Sequence, residues 1–185
     1  MRAKITAGTT VLALGVTLLG SGPALADEAA TLTRISVSST GGQGNGASSR
    51  PAISADGRFV AFSSLASNLI PDDYNTSNDV FVKDVQTGEV KRVGSGFLPS
   101  ISRDGRFVAF YSGARVAVHD RETGVSSVVS VANDGTIGNG AVNNVQISAD
   151  GQFVVFSSTA TNLVPGDVNG EMDTFLKDLT TGQVT

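Results

Sequence analysis

The sequence contains no cysteine and no tryptophan, and it has a single histidine. The absence of cysteine excludes disulfides, thiolate metal sites and cysteine nucleophiles, so stability has to come from packing and backbone hydrogen bonds. Basic residues are few: 13 lysines and arginines stand against 17 aspartates and glutamates, a net charge of −4. We expect no nucleic-acid partner, because nucleic acid rewards clustered lysine and arginine.

Long hydrophobic runs are missing after the first 26 residues. Residues 1–26 combine a basic start, an apolar middle and small residues at Ala24 and Ala26, which is typical of a secretory signal peptide cleaved before Asp27. The apolar middle is short and interrupted by glycine, which disfavours a membrane anchor. We therefore expect a mature chain, residues 27–185, that is secreted to the extracellular space or the periplasm and has no membrane span.

One phrase occurs three times, as SADGRFVAFSS, SRDGRFVAFYS and SADGQFVVFSS. Its glycines, Gly57, Gly105 and Gly151, are 48 and 46 residues apart. Around each phrase the order is the same: a short apolar strand, an Asp-Gly hairpin turn, a second strand, a variable loop, a third strand, a Thr-Gly turn and a fourth strand. Four short antiparallel strands at a period in the forties are the pattern of a β-propeller blade.

The repeated phrase also predicts how a blade is packed. Phe59 and Phe62 are three residues apart in one strand, so their side chains point to opposite faces of the sheet. Both faces therefore have to be buried, which is the environment of a blade stacked between two neighbours. The phrase predicts packing rather than chemistry.

The predicted fold is an all-β propeller of about three four-stranded blades, which is fewer than the four to eight blades of closed propellers. The blades are expected near residues 51–94, 99–131 and 145–185, with residues 32–39 as a closing fourth strand for the last blade. Two interpretations stay open. Either two chains exchange their ends in a six-bladed homodimer, or the sequence is a fragment of a longer propeller.

The sequence resembles the TolB-like, WD40-like family of β-propeller repeats. The resemblance is carried by PAISADGRFVAFSS, by DVFVKDVQTGEV and by their two echoes, and it covers essentially all of residues 34–185. Members of this family act as interaction platforms in the bacterial envelope, and as lids or substrate gates on hydrolases. Within residues 27–185 the repeats leave little sequence over, so we expect no hydrolase domain beside them. The motif is specific for the fold and much less so for function.

The loops divide between the two rims of the predicted propeller. The turns between strands one and two, and between strands three and four, are all tight and share one rim. The variable loops share the other rim, and two of them are long, LASNLIPDDYNTSND and TATNLVPGDVNGEMD. Binding residues often lie on such loops of a rigid scaffold. The two long loops are also closely alike, which favours a shared binding role over tolerated insertion.

The two long loops share the pattern N-L-[IV]-P-x-D-x-N-x-x-x-D. Carboxylate and amide oxygens at alternating positions are the ligands that calcium prefers. The pattern departs from an EF-hand loop, which has glycine at the sixth position and glutamate at the twelfth. Aspartate and asparagine are also ordinary turn formers, so an alternative without metal stays open. The predicted calcium ligands are Asp73, Asn75, Asp79, Asp167, Asn169 and Asp173.

The single histidine, His119, is not predicted to be catalytic. It occupies the repeat position held by Lys83 and Lys177, so the position is a polar strand position. The aspartate that follows it in every repeat is expected to cap the Thr-Gly turn through a hydrogen bond of the Asx type. No serine lies in a G-x-S-x-G context.

The sequence thus favours a secreted, non-catalytic binding module whose ligand is a protein, a peptide or a glycan bound on the long-loop rim. The alternative is an enzyme, a carbohydrate-active or other hydrolase or lyase built on a propeller, because two loops carry carboxylates. In catalytic propellers the active residues usually differ from the residues found at the same positions of the other repeats. In this sequence the repeats differ mostly by deletions, which disfavours the enzyme.

Overall fold

Eleven β-strands follow one another between Ser48 and Asp178 in a computed structural model, which describes residues 32–185 of the chain. The predicted signal peptide, residues 1–26, lies outside the described residues. Residues 32–185 include no helix whose length and hydropathy would let it cross a membrane.

The strands form three antiparallel sheets, which we name blades 1, 2 and 3 in chain order. In each blade the strands are neighbours in the order of the sequence, joined by hairpins. Blade 3 has three strands and a single further bridge, between Lys177 and Val184, where a fourth strand would lie. The strands are β1 Ser48–Ile53, β2 Phe59–Ser64, β3 Asp79–Asp84 and β4 Val90–Ser95 in blade 1, β5 Phe97–Ile101, β6 Phe107–Ser112, β7 Arg115–Asp120 and β8 Val125–Val128 in blade 2, and β9 Val142–Ile147, β10 Phe153–Ser158 and β11 Asp173–Asp178 in blade 3.

The two phenylalanines of the repeated phrase lie on opposite faces of their strand, as predicted. Phe62 pairs with Phe81 across β2 and β3, and their ring centroids are 5.8 Å apart on one face of blade 1. Phe59 belongs to the cluster on the other face, together with residues of blade 2. Each blade therefore has two apolar faces. We call the face that holds Phe59 the front face, and the face that holds Phe62 the back face.

Neighbouring blades stack front to back. Ala61 and Val82 on the front of blade 1 share a buried cluster with Val108 and Phe110 on the back of blade 2. Blade 2 and blade 3 repeat the arrangement in a larger cluster. The corresponding front-face pairs are Ala61 and Val82 in blade 1, Ala109 and Val118 in blade 2, and Val155 and Leu176 in blade 3.

The first strand of every blade contains a bulge that the sequence did not predict. The ladder shifts register at Arg50, Leu98 and Asn144, and all three residues have positive φ, at 55°, 57° and 47°. A non-glycine residue in this region is uncommon. The bulge adds one residue to the strand, and the strands begin at Ser48, Phe97 and Val142 rather than at the predicted positions 51, 99 and 145.

The segment predicted as a closing fourth strand, residues 32–39, contains no strand in the described chain. Its one bridge joins Val37 to Gln43, because the backbone turns back on itself: Ser38 N donates to Gly42 O at 2.8 Å. We name residues 36–44 the first hairpin. It packs on blade 1, and the pairing of residues 32–39 with the last blade stays a prediction.

Candidate binding clefts on the long loops

The first hairpin has a counterpart before blade 3, residues 130–138, which we name the second hairpin. It is closed by a bridge between Val131 and Ile137 and by a hydrogen bond from Ala132 N to Thr136 O at 2.8 Å. Each residue of the second hairpin lies 94 positions after its counterpart in the first hairpin, so that Val131 corresponds to Val37. The structural repeat is thus longer than one blade.

Each hairpin is tied to a long loop by reciprocal asparagine hydrogen bonds. Asn45 N donates to Asn68 Oδ1 at 2.8 Å, Ser67 N donates to Asn45 Oδ1 at 2.9 Å, and Asn68 Nδ2 donates to Gln43 O at 2.9 Å. These bonds hold the first long loop, residues 65–78, against the chain that leads into β1.

The second long loop, residues 159–172, is held by the same bonds. Asn139 N donates to Asn162 Oδ1 and Thr161 N donates to Asn139 Oδ1, both at 2.9 Å. The glycine that follows each asparagine allows this approach, because a Cβ on Gly140 would lie 2.2 Å from Ala160 N. Sequence reasoning missed this framework, although the repeated Asn-Gly-Ala and the recurring Asn-Leu were its visible signal.

A cleft lies between each hairpin and its long loop. The first has a volume of about 760 Å³ and is lined by residues 38–40 of the hairpin, by residues 67–76 of the loop and by Val90. The second, of about 470 Å³, is lined by residues 132–134 and 161–168. Buried leucines at equivalent positions, Leu69 and Leu163, anchor both loops. The two clefts are therefore built on the same hairpin and loop framework, but different side chains line them.

The loop tips carry the differences between the two clefts. Tyr74 is 87% exposed and its counterpart Val168 is 89% exposed. Tyr74 Oη donates to Asp72 Oδ1 at 2.6 Å, and this hydrogen bond raises the pKa of Tyr74. Asp72 has a φ of 65°, and Gly166 takes the same left-handed conformation at the equivalent position of the second loop.

The three predicted calcium ligands of the first long loop lie together. Asn75 Nδ2 donates to Asp73 Oδ1 at 2.9 Å and to Asp79 Oδ2 at 2.8 Å, and both carboxylates are buried. Arg92 Nη2 donates to Asp79 Oδ1 at 2.9 Å. Burial raises the pKa of Asp79, but the hydrogen bonds from Arg92, Asn75 and Ser95 outweigh it and leave the pKa below its usual value.

In the second long loop the three predicted ligands line one cleft of about 370 Å³. Asp167 Oδ1 is buried and has no hydrogen-bond partner among the described residues. Asn169 Oδ1 accepts from Glu171 N at 2.9 Å, and Asp173 begins β11. Within residues 32–185, no three or more histidine, cysteine, aspartate or glutamate side chains are grouped to hold a metal ion.

The aspartate that ends each third strand caps the following Thr-Gly turn, as predicted. Asp84 Oδ1 accepts from Gln86 N at 2.9 Å and from Thr87 N at 3.2 Å, and Asp178 Oδ1 accepts the equivalent pair. His119 lies beside such an aspartate and shares a hydrogen bond of 2.9 Å with Ser126 on the adjacent strand. Burial lowers the pKa of His119.

Solved structures similar to this chain are β-propellers. TolB from Acinetobacter baumannii is 21% identical with a TM-score of 0.50, and the match covers 76% of this chain and 32% of that one. The β-propeller domain of the Trilobed protease from Pyrococcus furiosus, which has an open velcro topology, is 19% identical with a TM-score of 0.56, covering 75% and 41%. For Pyrococcus horikoshii acylaminoacyl peptidase the identity is 16%, the TM-score 0.52 and the coverage 75% and 24%.

At these identities the similarity shows the fold alone. The chain is a β-propeller repeat protein, and both the predicted fold class and the resemblance to TolB-like propellers are confirmed. It spans less than half the length of these solved structures. No family model and no curated protein matches the sequence.

Proposed function

We propose that the chain is an exported, non-catalytic binding module that takes a protein, peptide or glycan ligand on its two long loops. The observation that carries the proposal is the pair of clefts, which share one framework of hairpin, asparagine bonds and buried leucine. The framework is anchored by hydrogen bonds and buried leucines, and it exposes Tyr74 and Val168 at its tips. Exposed apolar side chains on a rigid scaffold are a feature of binding surfaces.

Export is proposed from the composition of residues 1–26, which matches a signal peptide. Calcium binding in the long loops is also part of the proposal. It is supported by the convergence of Asp73 and Asp79 on one amide group and by the buried, unpaired Asp167 Oδ1 in the second loop. The ion would bring charge and rigidity to the loops that hold the clefts.

The enzyme alternative has one local observation in its favour, the hydrogen bond between His119 and Ser126. A serine–histidine pair becomes nucleophilic when a third group orients the histidine. The neighbouring carboxylate, Asp120, instead pairs with Arg106 at 2.8 Å. The arrangement therefore supports a cross-strand contact better than a hydrolase site.

The experiment is a binding panel of defined glycans and peptides, measured with immobilised chain in the presence and absence of calcium. We expect at least one class of probe to be retained. Replacing both loop tips, Tyr74→Ala with Val168→Ala, should weaken that binding at least tenfold. Val125→Ala is the matched control, because Val125 is an exposed valine on β8, outside both clefts.

Two outcomes would contradict the binding module. Retention that is equal in the loop-tip variant and the control would show that the clefts do not bind the probe. Release of cleaved product from any probe, lost in His119→Ala or Ser126→Ala, would favour the enzyme instead.

A further inference from the structure

Among the three blades that the structure describes, only blade 2 carries no hairpin. The first hairpin precedes blade 1 and the second hairpin precedes blade 3, whereas Gly96 alone separates β4 from β5. The surface that a hairpin covers on the other two blades is therefore uncovered on blade 2. This surface lies between blades 1 and 2, so both of its walls belong to the described chain.

The covered surfaces of blades 1 and 3 show what a hairpin contributes. In both blades a lysine donates to a hairpin carbonyl. In both, the amide two residues after the Thr-Gly turn donates to a hairpin side chain. Val90 N reaches Ser39 Oγ at 2.8 Å, and Val184 N reaches Asn133 Oδ1 at 2.6 Å. A turn that offers a carbonyl and a side-chain oxygen thus completes each of these blades.

A groove of about 620 Å³ lies at the equivalent place on blade 2. Its wall on blade 2 contains His119 and Gly124, which are the counterparts of Lys83 and its carbonyl partner Gly88 in blade 1. Its wall on blade 1 is formed mainly by residues 90–93 of β4. We name it the inter-blade groove.

Three residues of blade 2 depart from the repeat at this groove. His119 stands in place of a lysine, and Ser126 stands in place of a buried valine. Arg121 stands where blades 1 and 3 have Val85 and Leu179. His119 Nδ1 and Ser126 Oγ share a hydrogen bond of 2.9 Å, and Ser126 is exposed. The missing hairpin thus coincides with polar side chains on the surface that it leaves open.

Basic side chains dominate the lining of the groove. Among the described residues that line it, Lys91, Arg92 and Arg121 stand against one carboxylate, Glu122. That carboxylate already forms an ion pair with Arg106 at 2.8 Å. Charge complementarity therefore favours an acidic ligand over a basic one.

Arg121 is the basic group that is available to such a ligand. Lys91 and Arg92 pair with carboxylates of their own blade, whereas Arg121 forms no ion pair within residues 32–185. Its Nη1 donates to Gly105 O at 2.6 Å, and its guanidinium carbon lies 4.0 Å from the centroid of the Phe59 ring. These two contacts hold the guanidinium in place and leave it further donors for a carboxylate.

We infer that the inter-blade groove binds a turn of a partner protein that carries an aspartate or glutamate. The turn would take the place that the hairpins occupy on blades 1 and 3, and its carboxylate would accept hydrogen bonds from Arg121. A side-chain oxygen would accept from Ser126 N, the counterpart of the amides of Val90 and Val184. The occupant is a polypeptide because the fold itself places polypeptide turns on the two equivalent surfaces, and the lining makes it acidic.

The groove lies beside the first cleft and is a distinct site. Ile70 and Pro71 belong to both linings, but Tyr74 lines only the cleft and Arg121 lines only the groove. Substitutions at these two residues therefore separate binding in the groove from binding on the long loops, and the inference does not rest on the function proposed for the clefts.

The second hairpin supplies the probe, because it is the turn that fits the equivalent surface of blade 3. Gly138 N donates to Ser130 O at 3.0 Å, so a peptide of residues 130–138, SVANDGTIG, can be cyclised head to tail. The acidic probe carries Asn133→Asp, and the neutral probe carries Asp134→Asn. Calorimetric titration of the full chain should show the acidic probe binding about tenfold more tightly, with the difference shrinking as salt is added.

Two substitutions locate the binding. Ser126→Asp places a negative charge in the groove and should weaken the acidic probe about tenfold. Ser127→Asp is the matched control, because Ser127 is also exposed and its side chain lies on the opposite face of β8. Arg121→Leu restores the residue type of blade 3, so it should stay folded by circular dichroism and should lose the preference for the acidic probe. Tyr74→Ala should leave the binding unchanged.

Four outcomes would overturn the inference. The first is an acidic probe that does not bind at millimolar concentration, and the second is equal affinity for the two probes. The third is an equal loss of affinity in Ser126→Asp and Ser127→Asp. The fourth is a loss of affinity in Tyr74→Ala with none in Arg121→Leu, which would place the probe in the first cleft.

Discussion

The ammonium group of Lys83 donates to Val37 O at 3.3 Å and so fastens the first hairpin to the sheet of blade 1. It also donates to Gly88 O at 3.2 Å, which ties the Thr-Gly turn to the same point. Lys83 is 8% exposed, and burial lowers the pKa of its side chain. The lysine found in two of the three repeats is thus a structural cation that binds backbone carbonyls.

Replacing Lys83 by methionine should release the first hairpin. Met keeps most of the buried volume but leaves the two carbonyl oxygens without their donor, and hydrogen bonds to a charged group are worth about 1.5–3 kcal/mol. We expect stability to fall by about 1–2 kcal/mol and amide exchange of residues 36–44 to accelerate. Lys91→Met is the control, since Lys91 and its partner Glu89 are exposed. Unchanged exchange in the hairpin would contradict the fastening role.

A Cβ on Gly105 would lie 2.2 Å from the Phe59 ring, so we expect two turn glycines of blade 2 to differ in their tolerance of alanine. Gly105→Ala places a Cβ against a ring that is fixed at its base, and overpacking of this kind costs about 1–3 kcal/mol. Gly124→Ala, in the same blade, has a nearly identical φ of 73° and nothing within 4 Å, so it carries only the backbone strain. Urea unfolding should therefore show Gly105→Ala to be clearly the more destabilised, and equal losses would contradict the contact.

The strands, their order and the stacking of blades could be predicted because one pattern sets them in every repeat. The Asp-Gly turn fixes where a hairpin reverses, and the paired phenylalanines require burial on both faces. The bulges at Arg50, Leu98 and Asn144 could not be predicted, because these three residues share no side-chain property. Only the register of the finished ladder shows the extra residue.

The likeness of the two long loops could be read from the sequence, whereas the hydrogen bonds that hold them in place could not. The resemblance of the two long loops pointed to a shared role, and Asp73, Asn75 and Asp79 do lie together. The bonds that tie Asn45 to Asn68 were not predicted, since they join residues 23 positions apart. A turn-forming asparagine and a clamping asparagine look the same in one sequence.

Asn139→Ala should loosen the second long loop. The substitution removes the hydrogen bonds that Asn139 exchanges with Thr161, and two such bonds contribute about 1–2 kcal/mol. We expect faster proteolysis within residues 159–172 and a smaller change in overall stability. Asn143→Ala is the control, because the Asn143 side chain accepts only a local bond from Asn144 N. Cleavage at the same rate in both variants would contradict the clamp.

The ion pair between Arg58 and Asp84 makes the stability of the fold decrease at acid pH. The Arg58 side chain, which donates at 2.8 Å, lowers the pKa of Asp84 to about 2, and turn amides assist. A carboxyl whose pKa is lower in the folded chain stabilises it above the unfolded pKa, near 4, and that stability is lost as the pH falls towards 2. The free energy of unfolding, measured with urea at a series of pH values from 7 to 2, should fall over this pH range.

Blade 3 lacks this ion pair, because Gln152 stands at the position that Arg58 occupies in blade 1. Arg58→Gln should raise the pKa of Asp84 towards that of Asp178, which only turn groups of its own blade lower. Carbon-detected NMR titration would measure both carboxyls in one sample. A pKa of Asp84 that does not move in the variant would contradict the role of the guanidinium.

Calcium should raise the melting temperature of the chain, because an ion that binds only the folded state stabilises it by mass action, by about 2.7 kcal/mol at a hundred times the dissociation constant. Asp79→Ala combined with Asp173→Ala should abolish the rise, whereas Glu89→Ala with Glu122→Ala removes the same charge elsewhere and should preserve it. Arg92 competes for Asp79 in the first loop, so Arg92→Gln should tighten calcium binding there. A melting curve that is the same in chelator and in millimolar calcium would exclude the site, since a folded-state ligand cannot bind without stabilising.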